Sequence, residues 1–222
     1  MREGKDLGIR RATIGDVLEP VSTPETFLND TLEEHAILSA LHVKGVVHID
    51  TDLSTLYFRG CLFENCRFVN CDFNKCDFSD AVFRKCDFSN STFNKCYFNR
   101  CEFISSKGTG MAVIGSTLLN TVFSDMLMPY ANFDTDRFDK VLIENSDFGE
   151  GNLSQCQISN FHLEQVNLKR TSFFKTPLKG VDLRSCTIES LVLSEGLSEL
   201  FGARISAYQA ADIVKLMGII ID

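Results

Sequence analysis

Residues 71–103 read CDFNKCDFSDAVFRKCDFSNSTFNKCYFNRCEF, and a phenylalanine stands at every fifth position of this stretch. The spacing continues on both sides, because from Leu53 to Leu193 every fifth residue is apolar apart from Gly108. A period of five matches neither the 3.6-residue repeat of an α-helix nor the two-residue alternation of a flat strand. It fits a chain that turns a corner every five residues, so that successive units form the sides of a coil. We therefore predict a solenoid with these residues in its interior.

A second column, of small side chains, lies two positions before the first. It contains all nine cysteines and otherwise mostly Ser, Thr, Ala and Val, whereas the other three positions of each unit are largely polar. Each unit thus points one large and one small side chain inward, which fills a narrow interior at the density that protein cores require. The coils would stack through backbone hydrogen bonds about 4.8 Å apart.

Units such as CDFNK, CDFSD, CDFSN and ANFDT resemble the pentapeptide-repeat family, whose units centre on Leu or Phe with a small residue two places earlier. The resemblance implies an all-β fold, a right-handed quadrilateral β-helix with about 20 residues in each coil. The solenoid is then expected over residues 36–195, as roughly eight coils and a rod of about 40 Å. Residues 1–35 are expected to cover its N-terminal end, with a short helix beginning near Thr23 or Asp30.

Residues 196–222 are expected to form a capping helix and a short strand. Ser206 and Gln209 make the S-x-x-Q pattern of a capping box, and the helix AYQAADIVKLM that follows has an apolar stripe. The β-branched run at the C-terminus would aggregate if it were left bare, so we expect it to pair with a second copy of the chain in a homodimer. The expected interface consists of Tyr208, Ile213, Leu216, Met217, Ile219, Ile220 and Ile221.

Five residues break the pattern of the interior: Gly108, Met111, Met126, Asp136 and Phe161. Gly108 lacks a large side chain and is expected to mark a local bulge. Met111, Met126 and Phe161 are large for the small column. Asp136 also occupies the small column, where an unpaired buried carboxylate would be costly. We expect the neighbouring Arg137 or a local distortion to relieve that cost.

The sequence favours a binding protein over an enzyme. Cysteines spaced C-x4-C around a coil face different sides and do not converge as zinc ligands do, so we interpret them as buried apolar fillers. The four histidines (His35, His42, His48 and His162) fall in no recognisable nucleophile or metal motif. A regular solenoid this narrow also has no interior cavity for a substrate. We therefore predict no catalytic residue, no metal and no cofactor.

The charge of the chain limits its partners. With 22 basic and 30 acidic residues the net charge is −8, which disfavours direct binding to nucleic acid. The chain has no apolar stretch long enough to span a membrane and no secretory signal at its start, so we expect a cytoplasmic protein. The densest acidic segment is residues 134–150.

The ending SAYQAADIVKLMGIIID, at residues 206–222, resembles the quinolone-resistance (Qnr-type) members of the family, and the long N-terminal segment is most similar to their Gram-positive forms. That resemblance implies a dimeric, DNA-mimicking binder of type II topoisomerase, either DNA gyrase or topoisomerase IV. It would modulate the enzyme or protect it from inhibitors such as quinolones. Gram-negative members carry two projecting loops, which the unbroken register here lacks. The expected contact residues are Asp134, Asp136, Asp139, Glu144, Asp147 and Glu150.

A second interpretation is a passive scaffold or adaptor that displays a protein-interaction face and has no connection with DNA enzymes. A surface of mixed sign, without a continuous acidic stripe, would favour this interpretation.

Overall fold

The structure is a computed structural model that describes residues 7–21 and 36–220. It is a β-solenoid of about 7 turns with one C-terminal helix, which confirms the predicted fold class. The helix expected near Thr23 or Asp30 lies outside the described residues.

The described strands are short in the first coils and longer from the fourth coil onward. They are β1 (Glu19–Val21), β2 (Ile37–Ser39), β3 (Leu41–Lys44), β4 (Val47–Ile49), β5 (Tyr57–Arg59), β6 (Leu62–Glu64), β7 (Arg67–Val69), β8 (Asp77–Ser79), β9 (Val82–Arg84), β10 (Tyr97–Ile104), β11 (Thr117–Ser124), β12 (Arg137–Glu144) and β13 (Gln157–Glu164). A 3-10 turn (Ser198–Leu200) and helix α1 (Ala207–Leu216) follow them.

Paired strands within the coils are parallel, and their partners lie 20 residues apart, as in Phe58 with Phe78. Four pentapeptide units therefore complete one coil. We number the four faces by the units centred on Phe58 (face 1), Phe63 (face 2), Phe68 (face 3) and Phe73 (face 4). Strands β10 to β13 each run through face 1 and face 2, whereas face 4 is held by isolated parallel bridges.

The corners are made by backbone conformation. The residue two places after each central residue has a positive φ in nearly every unit, for example 52° at Asn65, 56° at Asn70 and 62° at Lys75. This left-handed conformation turns the chain, and it favours Asn, Asp and Gly. The five-residue period of the sequence is therefore the distance from one left-handed corner to the next.

Phenylalanine rings stack along the rod in the N-terminal half. Rings one coil apart lie nearly parallel, with centroids 4.8 Å apart for Phe58 and Phe78 and 4.6 Å apart for Phe83 and Phe103. Rings on adjacent faces meet edge to face, as Phe58 does with Phe63. Both arrangements are favourable for aromatic pairs, so the core is a regular aromatic ladder.

The small column supplies hydrogen bonds as well as volume. The Cys96 thiol donates to the carbonyl oxygen of Phe73 in the coil before it at 3.0 Å, and the Ser116 hydroxyl donates in the same way to Phe93 at 2.8 Å. All nine cysteines are free and buried, which confirms that they fill the core. Burial raises the pKa of the Cys76 and Cys156 thiols to about 12, so these two stay protonated and unreactive.

Gly108 does not produce the expected bulge. Its amide bonds to the Leu127 carbonyl at 2.8 Å, and the parallel bridges beside it continue in register. A Cβ at Gly108 would lie 2.3 Å from the Met111 sulfur. The Met111 side chain thus fills the space that a side chain at position 108 would occupy, and the backbone does not distort.

Helix α1 closes the C-terminal end. Ser206 and Gln209 form the predicted capping box. The buried Gln209 amide also donates to the carbonyl oxygens of Leu183 and Cys186, each at 2.8 Å, so one side chain both caps the helix and bonds the final coil. Unpaired carbonyl groups at the end of a solenoid need such partners.

Candidate interaction surface

The interior of the solenoid is filled, so any function is carried by its outer surface. Among the described residues, no group of three or more His, Cys, Asp or Glu side chains could hold a metal ion. His48, one of the four histidines, is buried and stacks on Phe68 with centroids 5.8 Å apart. The side chains available to a partner are those at the outward positions of the four faces and at the corners.

The acidic segment 134–150 winds around one coil and does not form a single patch. Asp134 lies on face 4, Asp139 on face 1, Glu144 on face 2 and Asp147 on face 3, while Glu150 stands at the corner between faces 3 and 4. Residues that are close in the sequence therefore point in different directions. A flat partner would meet only two or three of them together.

Asp136 is not part of that surface. It is fully buried, its Oδ1 accepts a hydrogen bond from the Ser116 amide at 2.6 Å, and its Oδ2 has no hydrogen-bond partner. Burial raises the pKa of Asp136 to about 8, and the nearby Asp134 carboxylate adds to the shift. The expectation that Arg137 relieves its charge is wrong, because Arg137 is exposed and forms no ion pair with it. Protonation relieves it instead, so Asp136 offers a partner neither access nor charge at neutral pH.

The rest of the surface has mixed sign. Many acidic side chains pair with a basic one in the next coil, as Glu64 does with Arg84 at 2.9 Å and Asp80 with Arg100 at 2.5 Å. The hydrogen bonds from Arg100 lower the pKa of Asp80. Other such pairs are Asp87–Lys107, Glu150–Arg170 and Lys169–Glu189.

Face 4 differs from the other faces in its charge. Its outward positions carry Asp52, Asp72 and Asp134 and no lysine or arginine, although Lys75 and Lys95 stand at its edge. It is the side of the rod where acidic side chains meet the fewest opposite charges.

The C-terminal candidate residues divide into two groups. Ile213 and Leu216 are partly buried and pack against the solenoid core, so in this chain they belong to the cap. Tyr208, Met217, Ile219 and Ile220 are exposed, Tyr208 by 92% and Ile220 by 86%. Ile221 lies outside the described residues. The exposed group forms an apolar surface at the end of the rod.

A feature that the sequence reasoning missed lies along face 2. Residues 7–18, which we call the N-terminal arm, run along the side of the rod in the direction opposite to the coils. Leu7 lines a shallow pocket with His162 near the C-terminal end, while strand β1, which follows the arm, pairs with β3 in the first coil. Part of the segment expected to cover the end of the rod therefore lies along its length.

A signal for the arm was present in the sequence. The outward positions of face 2 include Leu62, Val82, Val122 and Leu142, at multiples of 20 residues. Outward positions of a solenoid normally face water, so a column of apolar residues there indicates that another segment covers them.

Two family models match the chain, one for a pentapeptide repeat region at residues 76–153 and one for pentapeptide repeats at residues 51–90 and 152–189. The chain belongs to the pentapeptide-repeat family. A search of curated protein sequences finds no significant match.

Two solved structures are similar to this chain to different degrees. A trypsin-treated variant of QnrB1, a plasmid-mediated fluoroquinolone resistance protein, is 16% identical, with a TM-score of 0.50 over 93% of this chain and 99% of that one. HetL from the cyanobacterium Nostoc sp. strain PCC 7120, a protein involved in heterocyst differentiation regulation, is 13% identical, with a TM-score of 0.40 over 77% of this chain and 94% of that one. No helix within residues 7–21 and 36–220 of this pentapeptide-repeat protein could cross a membrane.

Proposed function

We propose that this pentapeptide-repeat protein is a dimeric, DNA-mimicking ligand of a type II topoisomerase, DNA gyrase or topoisomerase IV, and that it modulates the enzyme or protects it from inhibitors such as quinolones. The observation that carries the proposal is a stiff, narrow rod with a net charge of −8 whose described acidic side chains, apart from the buried Asp136 and Glu199, lie at its surface. Such a rod has the outline and charge of duplex DNA. It would dock in the basic channel where the enzyme holds DNA, through complementary charge.

The fold similarity to QnrB1 directs the choice of the first enzyme to test. The proposed contacts are Asp134, Asp139, Glu144, Asp147 and Glu150, without the buried Asp136. Face 4 is the side we propose to meet the enzyme first, because Asp134 lies on the same face as Asp52 and Asp72.

Dimerisation would use the exposed apolar surface of Tyr208, Met217, Ile219 and Ile220. Two-fold pairing through this surface would lengthen the acidic rod and remove apolar area from water. We expect Ile220→Asp to give a monomer in light scattering and Leu127→Asp, at an exposed position in the middle of the rod, to leave the dimer intact. A monomeric wild-type chain would contradict the dimer.

The test of the main proposal is a supercoiling assay with purified DNA gyrase, titrated with the full chain in the presence and absence of a fluoroquinolone. We expect restored supercoiling, or inhibition by the protein alone, at micromolar concentration, and a weaker effect as salt rises. A triple variant, Asp134→Asn, Asp139→Asn and Glu144→Gln, should weaken the effect about fivefold or more.

The matched control carries the same change of charge at exposed acids away from face 4, as Asp16→Asn, Asp125→Asn and Glu19→Gln. It should behave like the wild-type protein. An equal loss in both variants would mean that only net charge matters, and no effect of the wild-type chain on gyrase or topoisomerase IV would overturn the proposal.

The mixed sign of most of the surface favours a second candidate function, a scaffold or adaptor for another protein. Ion pairs between coils, such as Glu64 with Arg84, neutralise much of the acidic charge outside face 4. An adaptor would show no effect in the supercoiling assay, so the same experiment separates the two functions.

A further inference from the structure

An apolar strip lies on the outside of face 2. It consists of Leu62, Val82, Val122 and Leu142, at the outward position of β6, β9, β11 and β12, and Glu102 in β10 interrupts it between Val82 and Val122. Val122 has no exposed surface and Leu142 is only 5% exposed, whereas Leu127, at the outward position of face 3, is 47% exposed. Something must therefore cover face 2 that does not cover face 3.

The N-terminal arm is the cover. Its backbone amides bond to side chains that border the strip: Arg10 donates to Asn120 Oδ1 at 3.2 Å, Ala12 to Glu102 Oε1 at 3.1 Å and Thr13 to Asp80 Oδ1 at 3.0 Å. The strand pairing places Val122 directly beside Glu102. The arm thus passes over the strip, with Ile9, Ala12 and Ile14 partly buried.

The arm and the face beneath it have complementary charge. Arg11 pairs with Glu102 at 3.2 Å. Face 2 also carries Glu144 and Glu164 beside the strip, and among the described residues no ion pair engages either of them. The arm presents both apolar and basic side chains to the face, in the segment IRRATI at residues 9–14, but its ion pair with Glu102 leaves Glu144 and Glu164 without a basic partner in the described part of the chain.

The attachment of the arm is weak for its length. The backbone amides of Arg10, Ala12 and Thr13 donate to side-chain oxygens and not to the backbone of a neighbouring strand. In the Arg11–Glu102 ion pair the arginine side chain is half exposed, and ion pairs at the surface contribute at most about 1 kcal/mol to stability. Segments with few buried contacts and exposed hydrogen bonds open at low free-energy cost. The arm stays in place because its tether keeps its local concentration high.

We propose that face 2 is a docking channel for an extended segment of a partner protein that carries both apolar residues and arginine or lysine, and that the N-terminal arm is its exchangeable internal occupant. Asp80, Glu102 and Asn120 capture backbone N–H groups, which every extended chain offers. The strip selects apolar side chains on one side of that chain, and the carboxylates of Glu144 and Glu164 select basic ones on the other. A partner segment binds when the arm leaves.

The test uses full-length protein and a fluorescein-labelled peptide with the sequence of residues 7–18, LGIRRATIGDVL, followed by fluorescence anisotropy. The variant Ile9→Asp, Arg11→Glu, Ile14→Asp detaches the arm by placing acidic groups against an acidic face. The matched control is Val17→Asp, because Val17 is 86% exposed. We expect the detached variant to bind the peptide at least tenfold more tightly than the wild type and the control, since the tethered arm competes in both.

A peptide with Arg10→Glu and Arg11→Glu should bind the detached variant at least tenfold more weakly. Three results would overturn the proposal: a variant that melts like the wild type but shows no saturable binding, equal binding of the charge-reversed peptide, or binding that appears only together with dimerisation, which would make a second copy's arm the occupant.

Hydrogen exchange of the wild-type chain keeps the proposal testable if the variant does not fold. We expect the amides of Ala12 and Thr13 to exchange at least 100-fold faster than those inside β11. Exchange of the arm only at the rate of β11 would mean that the arm opens only with the whole solenoid, and the arm could then not be exchangeable.

Discussion

The N-terminal and C-terminal halves of the solenoid build the same backbone from different linings. From Phe58 to Phe103 every central residue is phenylalanine, and rings one coil apart stack nearly parallel. From Gly108 to Leu193 the central residues vary between Gly, Val, Leu, Ile, Met and Phe, and the small column admits Met111 and Phe161. In the C-terminal half a large residue in one column can therefore compensate for a small one in the other, as Met111 does for Gly108.

The largest effect that tests this comparison is a cavity in the aromatic ladder. Phe78 stacks on Phe58 and Phe98, at 4.8 Å and 5.1 Å, so Phe78→Ala should lower the free energy of unfolding by about 3–5 kcal/mol. Leu168→Ala, in the C-terminal half, should lower the free energy of unfolding by less, because its neighbours differ in size and can relax into the cavity. Urea denaturation of both variants measures the difference, and an equal loss would show that the two linings are equally rigid.

The second effect is the pH dependence of stability that Asp136 causes in the C-terminal half. Because burial raises the pKa of Asp136 to about 8 from an ordinary value of 3.8, the folded state binds this proton more tightly than the unfolded state does. Its contribution to stability is therefore complete below pH 4 and is lost as the pH rises to about 8. Asp136→Ser should remove that loss and stabilise the protein at pH 8 by on the order of 5 kcal/mol.

Serine is the appropriate replacement for Asp136 because Ser116, one coil earlier in the same column, donates to Phe93 and accepts from Cys96. Thermal melts from pH 4 to pH 9 should converge at the acidic end for the wild type and the variant. A constant difference across that range would show that the carboxyl group does not titrate in the folded state.

A third and smaller effect tests the exchange of volume between columns. Gly108→Ala would place a Cβ 2.3 Å from the Met111 sulfur, and overpacking of this kind costs about 1–3 kcal/mol. The double variant Gly108→Ala, Met111→Ala should recover part of that loss, whereas Met111→Ala alone should open a cavity. Additive losses in a double-mutant cycle of melting experiments would contradict the compensation.

The smallest effect concerns the cap of helix α1, at the end of the C-terminal half. Ser206 accepts a hydrogen bond from the Gln209 amide as the cap of α1, so Ser206→Ala should cost about 1 kcal/mol. The loss should appear as faster hydrogen exchange at the C-terminal coil and not in the aromatic ladder. The exposed Ser39, in β2, offers a control substitution, Ser39→Ala, with little expected effect. Uniformly faster exchange along the rod would mean that the cap stabilises the whole solenoid.

The sequence by itself determined the solenoid, its interior and its C-terminal capping box. These features are local: a left-handed corner recurs every five residues, two positions of each unit face inward, and Ser206 and Gln209 are three residues apart. Each unit repeats the same constraint, so the pattern could be read without knowing which coils are neighbours. The burial of the cysteines follows from the same periodicity.

Only the tertiary structure decided what the surface presents. The acidic segment 134–150 is continuous in the sequence but is distributed over four faces, because each corner turns the chain. Whether Asp136 is charged depends on its burial and on Ser116 in another coil. The N-terminal arm lies against residues 67 to 110 positions away, and no repeat links those positions. Contacts between distant segments follow from how the completed rod exposes its faces, which a five-residue period cannot encode.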